Sequence, residues 1–189
     1  MEHLSVVSPP NTIELKNWHL DGRDITESEK RIKHLHGLFK DEESYNKLHP
    51  ETLVYSVQAH HPVPEGTPGG LFFGTTIVQP GRVGTEYFMT RGHSHLNEER
   101  TEYYWGVQGE GILILMNKQR ETWGENIFPG SLHFIRGFLA HRVANTGPTQ
   151  LIFGASWPAD AGHNYDDIAR EGFSARLMEV SGKPTLVSI

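Results

Sequence analysis

From residue 52 onward the chain alternates short β-branched, aromatic and aliphatic runs with turn residues. Thr52 to Ala59, Leu71 to Gln79, Thr85 to Thr90, Thr101 to Val107 and Ile112 to Met116 are runs of this kind. Ser131 to Ile135, Arg142 to Asn145 and Gln150 to Ser156 continue the series. Such residues fit a pleated, half-buried surface, so each run predicts a strand. Pro80-Gly81, Gly109-Glu110-Gly111, Pro129-Gly130 and Thr146-Gly147-Pro148 stand between them as turn signals. Many short strands at this spacing predict an all-β antiparallel sandwich or barrel with a few short helices.

Residues 1–50 have a different texture. Asp41-Glu42-Glu43-Ser44 reads as a helix start with an aspartate N-cap, and the helix should run to about Leu48 before Pro50 stops it. Residues 163–171 predict one or two late helical turns, and 173–188 a strand pair at an edge or an interface between copies. No fixed-period repeat and no low-complexity linker interrupts this order. The expected layout over residues 1–189 is a single domain, with an N-terminal extension (1–50), a barrel (about 52–160) and a C-terminal segment (161–189).

Composition narrows the function classes. A chain of 189 residues can bury a sizeable core, and 37% hydrophobic residues read as a soluble protein. The longest aliphatic run, Ile112 to Met116, is far too short to cross a bilayer. The first twenty residues lack a basic start followed by an apolar stretch, so a cytoplasmic location is expected. Net charge is -6 without a dense basic block, which argues against a nucleic-acid partner. The absence of cysteine removes disulfides, thiolate zinc sites and cysteine nucleophiles.

Twelve histidines are many for this length. His34, His36, His49, His60 and His61 read as surface residues. His93 and His95 differ, because residues two apart on a strand point to one face and can reach one ion together. A bare His-x-His is a weak signal. Its company strengthens it: carboxylates follow at Glu98, Glu99 and Glu102, then the Gly109-Glu110-Gly111 turn, and His141 comes after Pro129-Gly130 with Asn145 four residues on. His133 competes with His141. Three imidazoles and one carboxylate make a mixed-donor site for a borderline or hard divalent ion.

This pattern resembles the two-part motif of the cupin β-barrels over roughly residues 75 to 157. In most cupins the glutamate follows the second histidine by three or four residues, a spacing that Glu99 fits. A narrower resemblance covers roughly residues 52 to 175. Thr75 to Gly84, Glu86 to His95 and Trp157 to Tyr165 look like the corresponding segments of the archaeal-type, cupin glucose-6-phosphate isomerases. In that family six residues separate the glutamate from a turn glycine, as residues 103–108 separate Glu102 from Gly109. Glu102 and Tyr104 also alternate onto one face of a strand, whereas Glu98 and Glu99 sit in a polar loop. Two departures are visible: Asn164 replaces an aspartate, and Trp157 stands where some members have a tyrosine.

The resemblance implies a metal-dependent isomerase that interconverts glucose 6-phosphate and fructose 6-phosphate. It implies one divalent ion, Fe2+ first and Mn2+, Ni2+ or Zn2+ as alternatives, held by His93, His95, Glu102 and His141, with His133 structural or on the surface. Glu102 is implied as the base at C2 and His163 as the acid or base for ring opening. Tyr55, Thr76, Thr90 and the Gly92 amide would hold the phosphate, Arg91 would add charge, and Tyr104 would meet the sugar oxygens. A homodimer without membrane or nucleic-acid partners is expected. Fold alone does not give function, so two rivals stand beside this reading: a cupin dioxygenase, and a sugar-phosphate-binding cupin without turnover.

Overall fold

The computed structural model describes residues 7–189; the part of the expected N-terminal extension at 1–6 lies outside the described residues. Among the described residues, fifteen strands and two short α-helices follow one another. A small hairpin, β1 (Thr12–Glu14) and β2 (His19–Asp21), comes first. β3 (Ile25–Arg31) leads through a 3-10 turn at Ile32–His34 to α1 (Glu42–Lys47). Asp41 caps α1 by accepting a hydrogen bond from Ser44 N at 2.9 Å, which satisfies one of the free amides of the first turn.

The barrel strands are β4 (Leu53–His60), β5 (Leu71–Val78), β6 (Arg82–Val83), β7 (Glu86–Tyr87), β8 (Glu102–Gln108) and β9 (Gly111–Met116). They continue with β10 (Thr122–Ile127), β11 (Leu132–Ile135), β12 (Ala140–Asn145) and β13 (Leu151–Pro158). α2 (Asp166–Glu171) and the hairpin β14 (Ala175–Val180) and β15 (Lys183–Ser188) close the chain.

A six-stranded sheet has the order β11-β8-β13-β5-β4-β3, all antiparallel. A three-stranded sheet, β10-β9-β12, is widened by residues 89–93, which bridge β12 at Met89–Ala144 and His93–His141. β15-β14-β7-β6 form a further sheet, braced internally where buried Glu86 accepts a 2.7 Å hydrogen bond from Arg176 Nη1 and tied to the segment before α1 by Lys40 N, which donates to Glu86 Oε2 at 2.6 Å. One cluster of buried apolar side chains runs from Ile32 to Leu177 and takes residues from all three sheets. The all-β barrel expected of a cupin is therefore met, with the strand pair at 173–188 and the helical turns at 163–171 in place. No helix among the described residues is long and apolar enough to cross a membrane.

Two strands depart from the sequence reading. β3 falls inside the stretch read as an extension, yet it pairs with β4 over almost its whole length. Its sequence Ile-Thr-Glu-Ser-Glu-Lys-Arg carries no apolar alternation, because one face lines a polar cavity and the other meets solvent. β10 (Thr-Trp-Gly-Glu-Asn-Ile) is an outer strand of its sheet and is polar for a related reason.

Candidate metal centre and substrate cavity

Strand register builds one wall of the site. On the inner face of the large sheet, Lys30 stands opposite Tyr55, Val57 opposite Thr76, Thr76 opposite Phe153, and Ala155 opposite Tyr104. On β8, Glu102 and Tyr104 are buried while Tyr103 is exposed, as strand alternation requires. The opposite wall is the segment around Gly92. His93 N donates to His141 O at 3.1 Å and His141 N to His93 O at 2.9 Å, so the two histidines are held side by side by backbone alone. Gly92 has φ +81°, and an added Cβ would lie 3.0 Å from both Cβ and Nε of Arg142. Only glycine passes there without strain.

These walls enclose a cavity of about 310 Å³. At its foot His93, His95, Glu102 and His141 each turn one ligand atom inward, all within 4.8 Å of one another. Glu102 Oε1 lies 2.5 Å from His141 Nε2 and 3.6 Å from His95 Nε2. Glu102, His95 and His141 are buried. His93 Nε2, His95 Nε2, His141 Nε2 and Glu102 Oε1 have no aligned hydrogen-bond partner. Buried polar atoms are normally paired, and a convergent set without partners fits a divalent cation. His95 is prepared for that role, because its Nδ1 lies 2.8 Å from the Arg100 carbonyl and donates to it, leaving Nε2 as the free donor atom.

The electrostatics agree. Burial pushes the Glu102 carboxyl upward, but the facing imidazoles of His141, His95 and His93 outweigh it and hold the group well below the usual carboxylate range. Burial, reinforced by His141 and His163, lowers His93. Burial lowers His163 as well, although its ring stays exposed at the rim. Tyr55 is pushed up to about 12, chiefly by burial, and burial together with the Glu102 charge raises Tyr104. Both phenols are therefore neutral hydrogen-bonding groups at ordinary pH.

Every residue that the sequence pointed to is brought to this site. Tyr55, Thr76, Thr90, Gly92, Tyr104 and His163 line the cavity with His93, Glu102 and His141. His95 reaches the cluster from behind the wall. The His163 ring lies 4.5 Å from that of His93, and its partner in stacking is Tyr165 at 5.9 Å. Tyr104 also packs on Phe153 at 4.9 Å, so it is both core and lining. Arg91 borders the cavity, and its amide faces Tyr55 Oη at 3.4 Å. Glu99 is exposed and takes no part, and His133 is buried between Glu125 and Ser131. Trp157 lies edge-on to Phe72 at 5.9 Å and fills the wall above Gly74.

Sequence reasoning passed over Ser28, Lys30 and Tyr165. Lys30 brings an ammonium group to the cavity from β3. The signal was the alternation Thr26, Ser28, Lys30, visible only once β3 is known to be a strand.

Comparisons with known proteins bear on this site. The sequence profile described as glucose-6-phosphate isomerase matches residues 29–185. A glucose-6-phosphate isomerase of Thermococcus kodakarensis is 40% identical over 159 residues, which are 84% of this chain and 83% of that protein. The enzyme of the same name from Thermococcus litoralis is 40% identical, covering 82% of each chain, and that of Pyrococcus furiosus is 36% identical, covering 85% of each. Among solved structures, an oxalate oxidase in complex with glycolate aligns with 77% of this chain and 56% of its own, at TM-score 0.46 and 12% identity. That likeness is too slight to bear on chemistry.

Proposed function

Because the chain belongs to the glucose-6-phosphate isomerase family, we propose that it interconverts glucose 6-phosphate and fructose 6-phosphate with one divalent ion held by His93, His95, Glu102 and His141. The observation that carries the reading is the convergence of four ligand atoms without partners at the foot of a cavity whose walls bear hydroxyls and an ammonium group. The reaction serves glycolysis and gluconeogenesis. Its phosphorylated sugars are kept inside the cell by their charge, which supports a cytoplasmic setting.

Aldose–ketose isomerisation moves one hydrogen between C1 and C2. Bound at the four ligands, a divalent ion would polarise the carbonyl of the open-chain sugar. Three nitrogens and one oxygen suit Fe2+, and they also admit Mn2+, Ni2+ or Zn2+. Thr76, Thr90, the Gly92 amide and Tyr55 donate to the phosphate, and Lys30 and Arg91 offset its charge. His163, at the rim, passes a proton between the ring oxygen and the C1 hydroxyl to open the ring. Glu102 takes the proton from C2 and returns it to C1. A carboxylate held so far below its usual range is a weak base, so Glu102 must loosen from the histidines when the sugar enters. Tyr104 then orients the sugar oxygens. The hydroxyls and the ammonium group set into the wall favour a phosphorylated sugar over the dioxygenase alternative.

The test is turnover of fructose 6-phosphate in 2H2O, coupled to a glucose-6-phosphate dehydrogenase. Turnover with solvent deuterium at C2 of the product supports proton transfer through Glu102. Turnover without deuterium shows that the transferred hydrogen does not exchange with solvent, and no turnover with any divalent metal removes the isomerase reading.

We read the chain as one cupin domain that pairs with a second copy. The outer face of the large sheet supports this: Tyr103 and Phe134 pack with tilted rings at 5.1 Å between centroids, and Leu132 beside them is 67% exposed. An apolar aromatic face of this kind is costly to leave in water. Light scattering should give twice the chain mass, and Tyr103→Asp with Phe134→Asp should give the monomer.

A further inference from the structure

A second cavity, of about 300 Å³, adjoins the substrate cavity at Arg91. Its charged and titratable lining is Arg91, Arg142, Arg170, Arg176, His36 and Glu171. Most of these are committed. Arg176 pairs with Glu86 at 2.7 Å and Arg170 with Asp167 at 2.7 Å. Glu171 is engaged by Arg120 at 3.1 Å and by Arg170 at 3.8 Å.

Arg142 is different. It is only 7% exposed, and among the described residues no carboxylate lies within 4.0 Å of it. Its Nε has no hydrogen-bond partner, and Nη1 rests only on the sulfur of Met89 at 3.3 Å. Its guanidinium carbon lies over Phe173, 4.0 Å from the ring centroid. Arg176 Nε is likewise buried without a partner. A guanidinium is always charged, and burying it without a counter-charge is unfavourable. The contact with Phe173 fixes the position of the Arg142 head, and its Nε is left without a protein partner. A planar fork of N–H donors matches the oxygens of a tetrahedral oxyanion.

We propose that this cavity is a second anion site, in which Arg142 and Arg176 bind a phosphate-class oxyanion, either the free ion or the head of a small phosphate monoester. The site shares Arg91 alone with the lining of the substrate cavity and does not depend on the isomerase reading. Thr76 and Thr90 belong to the substrate cavity and are absent from its lining.

Calorimetry with inorganic phosphate tests it on metal-loaded protein. In Thr76→Val/Thr90→Val, where the substrate cavity is weakened, one phosphate per chain should still bind. Arg142→Met should remove that phosphate, and Arg142→Lys, which keeps the charge but loses the fork, should weaken it at least tenfold. Crystals soaked in selenate should show anomalous density within hydrogen-bonding distance of Arg142 Nε, a result that does not require any variant to fold. Methyl phosphate separates the sources: tighter binding than inorganic phosphate indicates a monoester, weaker binding the free ion. A single phosphate lost in the threonine variant, or selenate absent from Arg142, overturns the proposal.

Discussion

Arg100 and Asp160 form a two-pronged pair: Arg100 Nε donates to Asp160 Oδ1 at 2.9 Å and Nη2 to Oδ2 at 2.5 Å. The pair joins the loop after His95 to the turn after β13. Its effect reaches the metal centre because the Arg100 carbonyl is the group that holds His95 Nδ1. Asp160 is thus a positioning residue for a ligand it does not touch.

Asp160→Asn should therefore weaken metal binding on the order of tenfold, the scale for outer partners of metal ligands. At saturating metal, turnover should return to near the parent value. Competition against a chromophoric chelator measures this, and an unchanged metal affinity would break the link between Asp160 and His95.

The phosphate contacts should divide by charge. Lys30→Ala removes a cation from the cavity and should raise KM for fructose 6-phosphate about tenfold or more, while Thr76→Val removes a neutral donor and should raise it about fivefold. In both, kcat should change little, because phosphate binding is equal in ground and transition states. A fall in kcat with KM unchanged would place these residues at the reacting carbons instead.

Asn145 anchors the far end of β12. Its Nδ2 donates to Val78 O at 2.9 Å and Thr149 O at 2.8 Å, and its Oδ1 accepts from Gly147 N at 2.9 Å. Asn145→Ala leaves these groups buried without partners and should cost about 2–4 kcal/mol. Denaturant unfolding of the metal-loaded protein reads this directly, and a loss below about 0.5 kcal/mol would show that water replaces the side chain.

His163 should shape the acid limb of activity. Burial lowers its pKa below the ordinary 6.5, so the neutral ring that accepts a proton in ring opening persists to lower pH. The acid limb of kcat/KM should accordingly fall below pH 6.5 and should move or vanish in His163→Asn, with kcat/KM reduced about tenfold or more. A limb left in place in His163→Asn would take ring opening away from this residue.

Part of the candidate metal centre was legible from strand geometry. His93 and His95 converge although they stand on isolated bridges and a loop rather than on a regular strand, and Glu102 is separated from Glu99 by alternation along β8: Glu102 and Tyr104 are buried, while Glu99 lies in an exposed loop. The turn glycines and the cap at Asp41 follow from local chemistry. What stayed hidden depends on pairing between distant segments. β3 carries no apolar signal because both of its faces are polar, so Lys30 could not be placed until its pairing with Tyr55 was seen. The burial of Arg142 was equally invisible, since its neighbours Gly92 and Phe173 come from far along the chain.

The central claim is that one divalent ion, held through Glu102, carries the isomerisation. The most direct test follows metal content and fructose 6-phosphate turnover together in the parent protein, in Glu102→Gln and in Glu99→Gln, after stripping with chelator and titration back with Fe2+. Activity should rise in step with bound metal to one ion per chain in the parent and in Glu99→Gln. Glu102→Gln should bind metal on the order of 100-fold more weakly and stay inactive. Full turnover in verified metal-free protein, or retained metal in Glu102→Gln with loss in Glu99→Gln, would contradict the account.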